Sequence, residues 1–166
     1  MFCMGQVFAA MLSEGTRRLE VSGRIDETEE VNVSLGCAAG YFIQDNIEIG
    51  VLGSYVGTHG GDDQKLSLGA YSEYNIVLDK ESLFVPYVGA AGALSYASRD
   101  WGIYDEDNTV LEVSGYVGVR YFVVDNVAIG TAARLFYATD DIYIDSDGKM
   151  EDSIDWDIIL NTSFYF

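Results

Sequence analysis

Long apolar runs are missing from this 166-residue chain. No stretch approaches the eighteen or so residues of a helix that crosses a membrane, which excludes a helical membrane protein and nothing more. Basic residues are scarce too: nine Lys and Arg stand against 27 Asp and Glu, a formal net charge of -18. Nucleic acid is excluded as a partner on that count, because phosphate contacts need a basic face. A cation-rich partner suits the chain better. Only three lysines and one proline occur, Lys65, Lys80, Lys149 and Pro86, so this is not an average soluble surface. The two cysteines, Cys3 and Cys37, have neither CxxC nor histidine spacing, which argues against a zinc site or a disulfide framework. No metal or cofactor is expected. What the chain has instead is 18 glycines, 12 tyrosines and 8 phenylalanines, in a length that suits one domain.

An internal repeat organises them. YFIQDNIEIG, from Tyr41 to Gly50, returns eighty residues later as YFVVDNVAIG, from Tyr121 to Gly130, with six positions identical and two Ile exchanged for Val. Around both copies the sequence alternates with a period of two, the mark of strands with one apolar face. Leu19, Val21, Gly23 and Ile25 oppose Glu20, Ser22 and Arg24. Val31 to Tyr41, Ile47 to Tyr55, Leu66 to Tyr74, Val113 to Tyr121, Val127 to Tyr137 and Ile154 to Phe166 follow the same rule. One more segment, Leu83 to Ala97, is apolar on both parities, so its facing stays undecided. The total is eight strands and no convincing helix.

Short connections, 44–46, 79–82 and 125–126, alternate strictly with longer acidic ones, 26–30, 58–64, 98–108 and 140–152. In an up-and-down barrel this puts all tight turns at one rim and all long loops at the other, the asymmetry of outer-membrane barrels. The repeat is then a tight hairpin used once in each four-strand half, with Asp-Asn making the turn. A soluble, lipocalin-like ligand-binding barrel is the rival architecture. Against it, the polar parity is mainly Gly, Ala and Ser, fit for a narrow filled lumen. The aromatics of the apolar parity gather at two heights: Tyr41, Tyr74, Tyr121, Phe164 and Phe166 toward the short turns, Tyr55, Tyr137 and Trp156 toward the long loops. Such girdles are what lipid selects.

At these residues the chain resembles the small outer-membrane β-barrel family of the OmpA, OmpX and OmpW type. The likeness covers Gly15 to Phe166 and rests on the GYFIQDNIEIG turn, the PYVGAAG strand from Pro86 to Gly92, and the WDIILNTSFYF ending. It implies an all-β, eight-stranded antiparallel up-and-down transmembrane β-barrel in the outer membrane of a Gram-negative-type bacterium, contacting outer-membrane lipid. It also implies that Trp156, Ile158, Leu160, Thr162, Phe164 and Phe166 form the signal read by the outer-membrane assembly machinery. No peptidoglycan-binding domain is expected, which makes residues 11–166 a single bare barrel. Residues 1–10, MFCMGQVFAA, resemble the remnant of a secretory signal peptide, with small Val7 and Ala9 around a cleavage point but no basic n-region.

An eight-stranded barrel is filled by its side chains, so wide porin-like diffusion is demoted. Inward parity places Arg18, Glu20, Glu48, Glu73 and Arg120 in the lower lumen, and Arg24, Glu112, Arg134, Asp155 and Asp157 in the upper. Hairpin counting makes Glu48 and Glu73 neighbours, so a guanidinium must bridge them or one must keep its proton. The same counting sets Arg134 level with Asp157. This network reads as a plug, with a small gated channel as the alternative. The outer loops hold 16 of the 27 acids against Arg99 and Lys149 alone, and the expected role is structural or surface-interacting, through an extracellular partner. DSDG, from Asp145 to Gly148, resembles a calcium loop but fails the EF-hand ligand pattern at Tyr143 and Ile154. Trp101 and Tyr104 are a candidate recognition tip. A lipid-modifying enzyme needs a nucleophile and a base at the outer rim. His59 is the sole histidine, no His-x-Ser pair accompanies it, and no catalysis is expected.

Overall fold

The computed structural model describes residues 12–27, 31–58, 63–79, 82–100, 105–139, 143–144 and 150–166; side chains at 24–27, 31–33, 58, 63, 97–100, 105–108, 143–144 and 150–152 lie outside that description. Ten strands form: β1 (Arg17–Glu27), β2 (Val31–Gln44), β3 (Ile47–Thr58), β4 (Asp63–Asn75), β5 (Phe84–Asp100), β6 (Asp105–Val124), β7 (Val127–Ala138), β8 (Tyr143–Ile144), β9 (Met150–Asp152) and β10 (Ile154–Tyr165). All but β8 and β9 close into one antiparallel barrel, each strand beside its neighbour in sequence, with β1 and β10 sealing the seam. There Arg18 lies opposite Tyr165 and Gly23 opposite Leu160. Closure leaves no free strand edge, the condition under which a sheet survives in hydrocarbon.

The period-two rule decides what each strand shows to either side. Leu68 and Leu160 are 71% and 70% exposed on the outer face, in a belt with Leu35, Val51, Leu94, Val117 and Ile158. Both aromatic girdles point outward, and the structure adds Phe84 to the lower one, packed on Tyr121 at 4.9 Å between centroids, and Tyr96 to the upper. Cys37 also faces outward. The facing of β5 is resolved as well: Phe84, Val88, Leu94 and Tyr96 are exposed, while Val85, Tyr87, Ala93 and Ser95 are buried.

Both copies of the repeat build a tight hairpin with the same register. Each tight turn follows a register shift, between Phe42 and Gln44 in one hairpin and between Phe122 and Val124 in the other. Asn46 takes a left-handed φ of 67°, a conformation Asn tolerates better than most residues. Tyr41 and Tyr121 point out to the girdle, and their neighbours Phe42 and Phe122 point in, 0% and 1% exposed.

Two connections differ from the sequence reading. Of the segment 98–108, read as a loop, residues 98–100 and 105–108 carry the β5–β6 ladder on to Asp100 opposite Asp105. β6 therefore runs 20 residues, where crossing the hydrocarbon takes about 9–11. Within 140–152 the short β8–β9 ladder pairs Tyr143 with Asp152. In both places backbone pairing continues past the apolar alternation, because ladder hydrogen bonds do not depend on a lipid-facing side chain.

Candidate functional site

Among the described residues, charge concentrates in the lumen. Its lower layer grows from five strand positions. Arg18 and Glu20 share the inner face of β1, and Glu48 on β3 stands directly opposite Glu73 on β4. All four partners of the pair-forming layer, Arg18, Glu48, Glu73 and Arg120, are buried. Arg120 grips Glu73 with both ends of its fork, Nη2 donating to Oε2 at 2.9 Å, while Nη1 also donates to Asn75 Oδ1 at 2.8 Å. Arg18 is the guanidinium that bridges the two carboxylates, with Nε 3.0 Å from Glu48 Oε1 and Nη1 3.4 Å from Glu73 Oε1. Glu20 is shared, 3.2 Å from Arg18 and 3.4 Å from Arg120, and accepts the Ser163 hydroxyl at 2.9 Å. The Tyr71 hydroxyl donates to Glu48 and accepts from Arg18. Each guanidinium also rests near a ring, Arg120 3.9 Å from the Tyr87 centroid and Arg18 5.5 Å from that of Tyr71. Planar, bidentate contacts of this kind are what makes arginine tolerable inside a protein.

A second layer lies nearer the long loops. Register sets Arg134 opposite Asp157, and the pair is bidentate, Nε donating to Oδ1 at 2.8 Å beside Nη2 on Oδ2. Lys65 of β4 reaches over β5 to pair with Glu112 of β6. Phe136 sits between the two cations, its centroid 4.9 Å from the Arg134 guanidinium and 5.9 Å from Lys65 Nζ. Asp155, half-buried, accepts the Trp156 amide at 2.7 Å. Arg24 lies opposite Ser34 in the ladder, with its side chain outside the described residues. Roughly 100 Å³ of space remains between the layers, walled by small residues such as Ser22, Ser67, Ala91 and Ala132. A few waters fill such a volume.

The floor is apolar. Phe42 and Phe122, one from each repeat, hold Tyr165 between them at centroid distances of 6.4 and 5.3 Å, and buried Leu12 joins the cluster from the N-terminal side. Higher up, tyrosines lie across glycines directly opposite in the ladder: Tyr71 over Gly50, Tyr87 over Gly118, Tyr116 over Gly89. A Cβ at any of the three would overlap the ring, which explains glycine at these inward positions.

No family model and no curated protein matches this chain. Solved structures do. The N-terminal β-barrel domain of Pseudomonas aeruginosa OprF is 18% identical over 92% of this chain and 98% of that one, with a TM-score of 0.66. Neisserial surface protein A is 20% identical over 91% and 95%, TM-score 0.62, and the outer membrane protein OprG of P. aeruginosa 12% over 93% and 97%, TM-score 0.59. The fold is that of the small outer-membrane β-barrels.

On the outward face of β10 Trp156, Ile158, Leu160 and Phe164 are exposed and Thr162 is half-buried, and Phe166, just past the strand, is exposed as well. Sequence reasoning missed Lys65 and Tyr71, both of which stand on the inward parity of β4. That parity was the available signal, yet only the closed barrel shows that Lys65 meets a strand two positions away. His59, Trp101, Tyr104 and the 145–148 segment lie outside the described residues. Among those described, no group of three His, Cys, Asp or Glu is set to hold a metal.

Proposed function

We propose that the protein is a structural or surface-interaction barrel of the outer membrane, holding acidic loops outside the cell and catalysing no reaction. One observation carries this reading: the lumen is closed in depth by the Phe42–Tyr165–Phe122 floor and the Arg18–Glu48–Glu73–Arg120 layer above it. A barrel blocked in this way is a rigid scaffold, and recognition then falls to its loops. Those loops hold 16 of 27 acids, a composition suited to a cation-rich extracellular partner. The outward strand positions ending at Phe166 are read by the assembly machinery. In planar bilayers the purified protein should stay electrically silent, and cells displaying it should bind a polycation such as polylysine. Neutralising Asp140, Asp141, Asp145 and Asp147 together should abolish that binding; unchanged binding would remove the loops from the function.

The second reading, a small gated channel, draws on the roughly 100 Å³ of space between the two layers of ion pairs. Steady conductance from the wild-type protein, altered by Arg18→Ala, would favour it over the scaffold.

A further inference from the structure

Among the described residues, charge on the outer face is almost absent. Of the charged side chains described in the barrel strands, every one points into the lumen except Arg17, which is exposed. Arg17 begins β1 at the short-turn rim, opposite Tyr41 of β2. On its other side it exchanges two backbone hydrogen bonds with Phe166, at 3.1 and 2.9 Å. Its side chain therefore emerges between two exposed aromatics, in the girdle, across the seam where the barrel closes. A guanidinium at that height sits where hydrocarbon gives way to headgroups, and its fork matches a phosphate.

The surroundings narrow the ligand further. The described charges beside the strand ends at this rim, Glu14, Asp45, Asp79 and Asp125, are all acidic. Glu14 lies three residues before Arg17, and its backbone amide donates to Asp45 Oδ1 at 3.0 Å, so the Asp45 carboxylate is held against the segment that leads into β1, beside the acidic Glu14. A purely anionic headgroup meets repulsion there; one carrying an ammonium beside its phosphate meets a partner for each charge. We infer that Arg17, between Tyr41 and Phe166, holds the phosphate of a phosphoethanolamine-type phospholipid headgroup, with the ammonium toward Glu14 and Asp45. The assignment rests on the outer-membrane reading, in which short turns face the periplasm.

The test is native mass spectrometry of the detergent-purified barrel, incubated with equal amounts of phosphatidylethanolamine and phosphatidylglycerol. Wild type should retain one phosphatidylethanolamine in preference, and Arg17→Gln should lower that retention about tenfold, the worth of one charge-assisted hydrogen bond. Glu14→Gln with Asp45→Asn should shift retention toward phosphatidylglycerol. Equal retention by wild type and Arg17→Gln, or a wild-type preference for phosphatidylglycerol, overturns the inference. Heat-dependent gel migration shows that each variant is folded, and Arg17→Lys, which keeps the charge without the fork, replaces Arg17→Gln if the latter is not. Its retention should then fall between wild type and zero. Membrane fractionation tests localisation separately, so lost selectivity in a protein that fractionates with outer membranes sinks this inference alone.

Discussion

Arg120 and Arg134 are both paired arginines of the lumen, yet removing them should have different costs. Arg120 and Glu73 have side chains 1% exposed, so Arg120→Ala takes the nearer guanidinium from a buried carboxylate, leaves Arg18 to serve Glu48 and Glu73 alone, and should cost about 3–5 kcal/mol. Arg134 is 25% exposed beside Asp157 at 9%. Arg134→Ala should therefore cost about 1–3 kcal/mol, between the surface and the buried limits. Urea unfolding in detergent micelles gives both values, and a double-mutant cycle of Arg134→Ala with Asp157→Ala should recover much of the second. Zero coupling would contradict the observed register. If conductance rises while stability holds, the pair is a gate; a fall in stability without conductance makes it a plug. The Arg134–Asp157 level was legible from counting across a hairpin, since a cross-strand neighbour needs only parity and register. Lys65–Glu112 was not, because the pair spans β5 and depends on how the barrel curves.

At the scale of the element, the duplicated turn shows how much two adjacent letters carry. Tyr-Phe places one aromatic in the girdle and the next in the floor, twice, and the floor closes only because Tyr165 arrives between the two phenylalanines. Tyr165→Ala should thus destabilise the folded barrel by about 3–5 kcal/mol, as large-to-small core changes do. Deleting Phe166 should instead slow assembly in cells more than any change at Tyr165, because Phe164 and Phe166 share the outward face. Pulse-chase appearance of the heat-resistant band separates the two effects, and equal assembly defects would mean the facing does not govern insertion. Gly89 provides a further check. A methyl there meets the Tyr116 ring, so Gly89→Ala should cost about 1–3 kcal/mol of overpacking strain, while Gly92→Ala, whose Cβ meets nothing within 4 Å, should be near neutral in the same unfolding assay.

For the whole molecule the expectation concerns solubility and shape. The protein should resist extraction without detergent, fractionate with outer membranes, and migrate differently on gels before and after heating; a folded monomer in detergent-free buffer would contradict the lipid-facing belt. The number of barrel strands, hairpin order and the outward belt were readable in the sequence, because alternation with a period of two and the strict exchange of short and long connections are local properties. The facing of β5 was not readable, since Leu83 to Ala97 is apolar on both parities and only pairing with β4 and β6 orients it. The extension of β5 to Asp100 and of β6 back to Asp105 was equally hidden, since no apolar alternation marks it. Sequence by itself determined that the charges of Arg18, Glu48, Glu73 and Arg120 turn inward. Tertiary structure alone decided which guanidinium bridges which carboxylate, because those contacts cross the lumen between residues far apart in sequence and exist only once the sheet curls into a closed barrel.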